Sequence, residues 1–105
     1  EALGELHLLH VIPTDETSDD REIERKNSEV KLRGMLDIAR DHGVEAIYEI
    51  REGDPAETIL DYLSEVGATG VITGRRGKGI MRQAVLGSVS LRLLRDAPCP
   101  VVIQP

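Results

Sequence analysis

Gly74-Arg75-Arg76-Gly77-Lys78-Gly79, running on to Leu86-Gly87-Ser88-Val89-Ser90, holds the residue types that could do chemistry in this chain. It follows a short apolar run, Val71-Ile72-Thr73, and leads into a helix-like run ending near Ala97. A strand, a glycine-rich segment and a helix start together make an anion site. N–H groups at a helix N-terminus lack intrahelical acceptors, and the macrodipole places partial positive charge there. Glycines let the backbone approach a phosphate closely and supply dihedrals that other residues avoid. Charge agrees: from Val66 to Arg95 there is no acidic residue, while Arg75, Arg76, Lys78, Arg82, Arg92 and Arg95 all fall there. In a chain of net charge -6, that window reads as a site for a small polyanion.

Two common phosphate motifs fail at this stretch. A P-loop requires Ser or Thr after Gly-Lys, and Gly77-Lys78 is followed by Gly79. The dinucleotide fingerprint lacks its third glycine, because Arg82 stands there. Gly-x2-Gly-x9-Gly-Ser does fit, through Gly74, Gly77, Gly87 and Ser88. An isolated glycine pair would do no more than shape a surface loop. Combined with the acid-free window and the Gly-Ser helix start, the anion site is the better account.

That spacing resembles the nucleotide-binding signature of the universal stress protein family. The resemblance runs on through Val89-Ser90 to Ala97-Pro98-Cys99-Pro100-Val101-Val102-Ile103. It reaches back through Glu52-Gly53-Asp54-Pro55-Ala56 to Leu6-His7-Leu8-Leu9-His10-Val11-Ile12-Pro13. Nearly the whole chain is covered. The resemblance implies an α/β fold with an open parallel sheet, Rossmann-like or flavodoxin-like, as in adenine-nucleotide hydrolase-like domains. It implies ATP or AMP as ligand, with Mg2+ as a possible companion, in a nucleotide-responsive stress or regulatory module. By motif, Gly74, Arg76, Gly77, Gly87, Ser88, Val89 and Ser90 match the phosphate and ribose contacts, and Thr73 and Val11 the adenine side. Ser88 and Ser90 hydroxyls would then donate to phosphate oxygens or enter a magnesium shell. The family resemblance also implies a homodimer joined through the last strand, Val101 to Ile103.

The elements that must position these residues are legible along the chain. Glu5 to Ile12 reads as a strand, nearly continuous in apolar residues, as where both sheet faces are covered. His7 and His10 point to opposite faces of it, which disfavours a shared metal site and suits solvated or hydrogen-bonded roles. Asp19 and Glu22 suggest a capping box, and a helix follows with Leu32, Met35, Leu36 and Ala39 inward, extended weakly by Ile23 and Val30. Its mixed charges from Glu22 to Arg33 read as a solvated outer face. Gly43 stops it. Val44 to Arg51 alternates as a second strand nearer the sheet edge.

Asp54, Pro55 and Glu57 then form a strong helix start, which explains Asp54 better than a catalytic role does. Ile59, Leu60, Leu63 and Val66 supply that helix with its buried stripe, and Gly67 its stop. Gly70 to Thr73 is the third strand. Gly87-Ser88 begins a helix with Val89, Leu93 and Ala97 inward, and Val101 to Ile103 is the last strand. The order β-α-β-α-β-loop-α-β implies a parallel sheet.

Composition bounds the function. One hundred and five residues make one domain, 1–105, with a modest core. No apolar run is long enough to span a bilayer and no signal peptide is recognisable, so the expectation is a soluble, cytoplasmic chain. Cys99 alone cannot form an intrachain disulfide and reads as a small core residue between two prolines. Overall acidity and only two aromatics, Tyr48 and Tyr62, argue against nucleic acid as a partner. No His–carboxylate–nucleophile set is present, and Gly87-Ser88-Val89-Ser90-Leu91 is not a nucleophile elbow. Three readings remain: a nucleotide-binding regulatory module, a slow ATPase, and an interaction module of the same fold that binds no nucleotide. The complete glycine–serine motif favours the first over the third. The lack of a general base favours it over the second.

One departure from the family pattern matters. Family members open with a strand, an aspartate-containing turn and a helix, whereas this sequence begins at what resembles their second strand. In the family order the first strand is central, between the counterparts of Glu5–Ile12 and Gly70–Thr73. Without it, both neighbours would lose a ladder of backbone hydrogen bonds, at about 1–3 kcal/mol for each buried group left unsatisfied. A net stability of about 5–15 kcal/mol cannot absorb many such losses. Residues 1–105 expressed alone are therefore expected to fold poorly and bind ATP weakly. Either these residues are a portion of a longer chain or another chain fills the gap, and a cooperative thermal transition with tight ATP binding from residues 1–105 alone would refute this expectation.

Overall fold

The computed structural model describes residues 4–15, 17–74 and 87–104. Its strands pair in parallel, two by two, and the chain divides into two compact units, residues 1–54 and 55–105.

In the first unit, β1 (Leu6–Ile12) pairs with β2 (Ala46–Glu52), in register from Leu6 opposite Ala46 to Ile12 opposite Glu52. Parallel neighbours cannot be joined by a tight turn, and α1 (Ser18–Asp41) supplies the crossover and packs on both strands. Its start differs from the sequence-based expectation. Thr17, with extended dihedrals, is the N-cap, and its Oγ1 accepts from the Asp20 backbone N–H at 3.1 Å. Asp19 and Asp20 occupy the first turn, where their charge suits the helix dipole. The threonine wins because its short hydroxyl side chain stands immediately before the first helical residue.

The end of α1 is as expected. Gly43 has φ of +76°, its N–H reaches the Arg40 carbonyl at 3.0 Å, and the Val44 N–H reaches the Ala39 carbonyl at 2.9 Å. This is a Schellman closure, and glycine suits its left-handed position. The buried stripe corrects the expectation in part. Leu32 is buried, and Leu36 and Ala39 are half-buried, but Ser28 is buried where Met35, Ile23 and Val30 are exposed. Positions 28, 32, 36 and 39 follow one helical face at steps of four, four and three, and Met35 falls off that face.

The charged side of α1 is also more engaged than a solvated face would be. His10 Nε2 lies 2.7 Å from Glu24 Oε2. Arg25 bonds Glu52 at the end of β2, with Arg21 Nε 3.6 Å from the same carboxylate. The Tyr48 hydroxyl donates to Glu29 Oε2 at 3.0 Å and accepts from Arg33 Nε at 3.2 Å, while Arg33 also bonds Glu29 at 2.9 Å. These hydrogen bonds hold the Arg33 guanidinium above its ordinary pKa, Tyr48 contributing most.

In the second unit, α2 (Pro55–Val66) begins at Pro55, and β3 (Val71–Gly74) pairs with β4 (Val101–Gln104) from Val71 opposite Val101 to Gly74 opposite Gln104. The helix α3 (Ser88–Asp96) lies between these strands in sequence and packs on α2 and β4. Gly67, with φ of +64°, repeats the Schellman closure: its N–H reaches Ser64 at 3.3 Å and the Ala68 N–H reaches Leu63 at 3.0 Å. In α2 the buried residues are Ala56, Tyr62 and Leu63, with Ile59 and Leu60 half-buried and Val66 exposed. Tyr62 thus takes a core position that the expected stripe assigned to aliphatic residues alone. In α3, Leu93 is fully buried, and Val89 and Ala97 are half-buried.

Loss of the observed cap should be measurable. Thr17→Ala is expected to cost about 0.5–2 kcal/mol. Asp19→Ala removes a first-turn charge but no observed cap bond and should cost less, about 0.3–1 kcal/mol. Chemical denaturation of both variants checks the order, and an equal or reversed ranking would restore Asp19 as the cap.

Candidate functional site

The carboxyl end of β3 and the amino end of α3 are brought together by one buried side chain. Ser90, 2% exposed, donates its hydroxyl proton to the Gly74 carbonyl oxygen at 2.6 Å. The last residue of the strand is thereby tied to the first turn of the helix. Gly87 is the N-cap of α3, and the Leu91 N–H to Gly87 carbonyl bond of 3.0 Å closes that turn. Having no side chain, Gly87 makes no side-chain cap hydrogen bond. Its dihedrals, φ −73° and ψ 166°, are open to any residue. The expectation that glycine supplies unusual dihedrals therefore does not apply here; what it supplies is a cap position without a side chain.

Ser88 is exposed at the first helical position, and Val89 is half-buried behind it. The first turn carries no acidic residue. A helix start capped by a glycine, with an exposed hydroxyl at its first position and no acid in its first turn, can receive an anion. Thr73 and Gly74 lie at the end of β3, opposite Ile103 and Gln104. Five sequence-predicted residues of the phosphate and ribose set, Gly74, Gly87, Ser88, Val89 and Ser90, thus belong to this junction or the turn that follows it. Arg76 and Gly77 lie outside the described residues, as do Arg75, Lys78 and Arg82. Val11 belongs to the first unit, half-buried in β1 and opposite Arg51.

Ser90 had been expected to offer its proton to a phosphate; in the structure that proton goes to Gly74. The signal for a buried role was its position three residues before Leu93, on the inward face of α3. Two cations of the acid-free window also have other engagements. Arg92 Nε bonds Asp96 Oδ2 at 2.7 Å and Arg95 Nε bonds Asp96 Oδ1 at 3.3 Å, just past the window's end. The hydrogen bond from Arg92, and then that from Arg95, hold the Asp96 carboxyl below its usual range. Both arginines serve the far end of α3, so the charge count of the window overstates the charge at the helix start.

Elsewhere, an open depression of about 480 Å3 at the amino ends of β1 and β2 is lined by Glu5, Arg40, Gly43, Val44, Glu45, Ala46 and Ile47. Parallel sheets bind ligands at their carboxyl ends, so this depression is at the wrong end for the anion. Among the described residues, no three His, Cys, Asp or Glu side chains are grouped to hold a metal ion. Among those residues, too, no helix is long and apolar enough to cross a membrane.

Comparison with known proteins decides the family. The model of the universal stress protein family matches residues 1–105. The chain belongs to the universal stress protein family. It is 30% identical to universal stress protein Sll1654 of Synechocystis, over 97% of this chain and 68% of that protein. Universal stress protein YxiE of Bacillus subtilis is 32% identical, over 77% of this chain and 59% of that protein. Universal stress protein MJ0531 of Methanocaldococcus jannaschii is 29% identical, and the match covers 48% of its length. The matches thus span about half to two thirds of these relatives. Among solved structures, the hypothetical protein MJ0577 superposes with a TM-score of 0.82 at 26% identity, over 98% of this chain and 78% of that one. UspA of Lactobacillus plantarum gives 0.86 at 20% identity, over 96% and 77%, which speaks for the shared α/β fold.

Proposed function

We propose that this universal stress protein binds ATP or AMP, its phosphates received at the start of α3, and acts as a nucleotide-responsive regulatory module in the cytoplasm. One observation carries the reading: the acid-free first turn of α3, capped by Gly87 and tied to the carboxyl end of β3. Phosphates gain there from N–H groups aligned with the helix dipole, and Ser88 stands exposed to donate to a phosphate oxygen or to accept a place beside a magnesium ion. Gly77 completes the Gly-x2-Gly-x9-Gly-Ser spacing with Gly74, Gly87 and Ser88, and Arg76 adds positive charge within it. Thr73 and Val11 are assigned the adenine side by their match to the family motif. Hydrolysis, if any, is slow, since no general base accompanies the motif.

Calorimetric titration with ATP tests the site. Gly87→Val is expected to abolish binding while preserving the fold, because valine adopts the dihedrals of Gly87 without strain but crowds the phosphate approach. Ser88→Ala should lose a donor worth about 0.5–1.5 kcal/mol, leaving moderately weakened binding. Unchanged affinity in both variants would refute the assignment.

A homodimer through β4 is favoured by a second observation. Ile72 and Val102 stand opposite each other in the ladder, 66% and 53% exposed. A short apolar strand with one described neighbour invites pairing with another chain. Sedimentation of the intact protein should show dimer at micromolar concentration and monomer after Val102→Lys. A monomer throughout would exclude this mode of assembly.

A further inference from the structure

We infer that Ser90 is a positioning residue of the nucleotide site, acting through the Gly74 carbonyl and not as a phosphate ligand. The inference rests on the nucleotide reading above and divides the labour between the two serines of the Gly-Ser-x-Ser run. Ser88 is exposed, whereas Ser90 is 2% exposed and hydrogen-bonded at 2.6 Å to the last residue of β3. A hydroxyl has one proton, and that of Ser90 is already given to Gly74. Donation to a phosphate would require breaking a buried hydrogen bond, whereas Ser88 faces no such cost.

The placement of the bond gives it a function. Gly74 ends β3 and Ser90 lies in the first turn of α3, so the bond joins the strand end to the helix start that the phosphates are proposed to meet. The bond from Ser90 fixes the strand end against the helix turn before any ligand arrives. Nucleotide then meets prepared phosphate donors, and less ordering has to be supplied by binding itself. Adenosine, which lacks phosphates, should gain little from this preparation.

The test compares Ser90→Ala and Ser88→Ala in the intact protein by three measurements: amide hydrogen exchange without ligand, ATP affinity and adenosine affinity. For Ser90→Ala we expect exchange at residues 91–93, the first amides of α3 with intrahelical acceptors, to quicken by roughly tenfold, and ATP affinity to fall by roughly five- to tenfold, in line with the loss of one buried hydrogen bond. Adenosine affinity should stay within about twofold. For Ser88→Ala we expect weaker ATP binding with ligand-free exchange unchanged. Ser90→Ala that weakens ATP binding without altering exchange would make Ser90 a direct ligand and overturn the inference. Faster exchange with ATP and adenosine weakened alike, or with ATP unaffected, would make the bond purely structural and overturn it as well. Failure of the unmutated protein to bind ATP would instead overturn the nucleotide reading, and the positioning role with it, while the exchange result still reported on the bond.

Discussion

Parallel strands impose the constraint from which the rest of this structure follows. A parallel pair cannot be closed by a two-residue turn, so the chain must travel back along the sheet before it can pair again. In the first unit that return is a single long helix, α1, of 24 residues. In the second it is the glycine–arginine stretch followed by the nine residues of α3. The return path of the second pair therefore delivers a helix start directly beside the carboxyl end of a strand. Anion chemistry needs that juxtaposition, and β3–α3–β4 produces it as a by-product of connecting two parallel strands.

The two return helices are anchored differently. α1 has few buried residues, Ser28 and Leu32, and reaches its strands also through polar side chains: Glu24 to His10, Arg25 and Arg21 to Glu52, and Glu29 with Arg33 to Tyr48. The exposed pairs among these, such as Arg25 with Glu52, each contribute little, and together with the half-buried His10 and Tyr48 contacts they set the direction of a helix whose apolar stripe is narrow. α3 depends on the fully buried Leu93 and on one buried hydrogen bond from Ser90. In a helix of nine residues, each of these two buried side chains is consequential.

What the sequence disclosed divides along physical lines. Backbone punctuation was plain: Pro55 at a helix start, and Gly43 and Gly67 at helix ends, where only a residue at ease with positive φ closes the turn cheaply. Apolar patterning was less informative along α1, because Ile23, Val30 and Met35 share their residue class with Leu32 and yet stand exposed. Ser28 and Tyr62 are buried although neither scores as a core residue by type alone. The Thr17 cap was obscured by the acids that follow it, which favour the same helix end through the dipole without forming the cap. Between β3 and α3, the motif singled out Gly74 and Ser90 but not their pairing. That Gly74 would receive the Ser90 proton depends on a tertiary approach sixteen residues apart in sequence, which local spacing does not encode.

The electrostatic signal in the sequence is also sharpened by the structure. An acid-free window suggests a broad positive surface, but Arg92 and Arg95 are drawn to Asp96 at the end of α3. An aspartate there opposes the helix dipole, and the two guanidinium groups compensate it. Among the described residues, positive character at the opposite end of the helix comes from the backbone, through N–H groups that need no counter-ion and lose no side-chain entropy on meeting an anion. The anion site proposed there would discriminate by geometry more than by net charge. This suits a chain whose overall charge of -6 would otherwise repel a polyanion at long range. Long-range repulsion is screened within about 8–10 Å at physiological salt, whereas the helix-start interaction acts at contact, so the local term governs whether an anion stays.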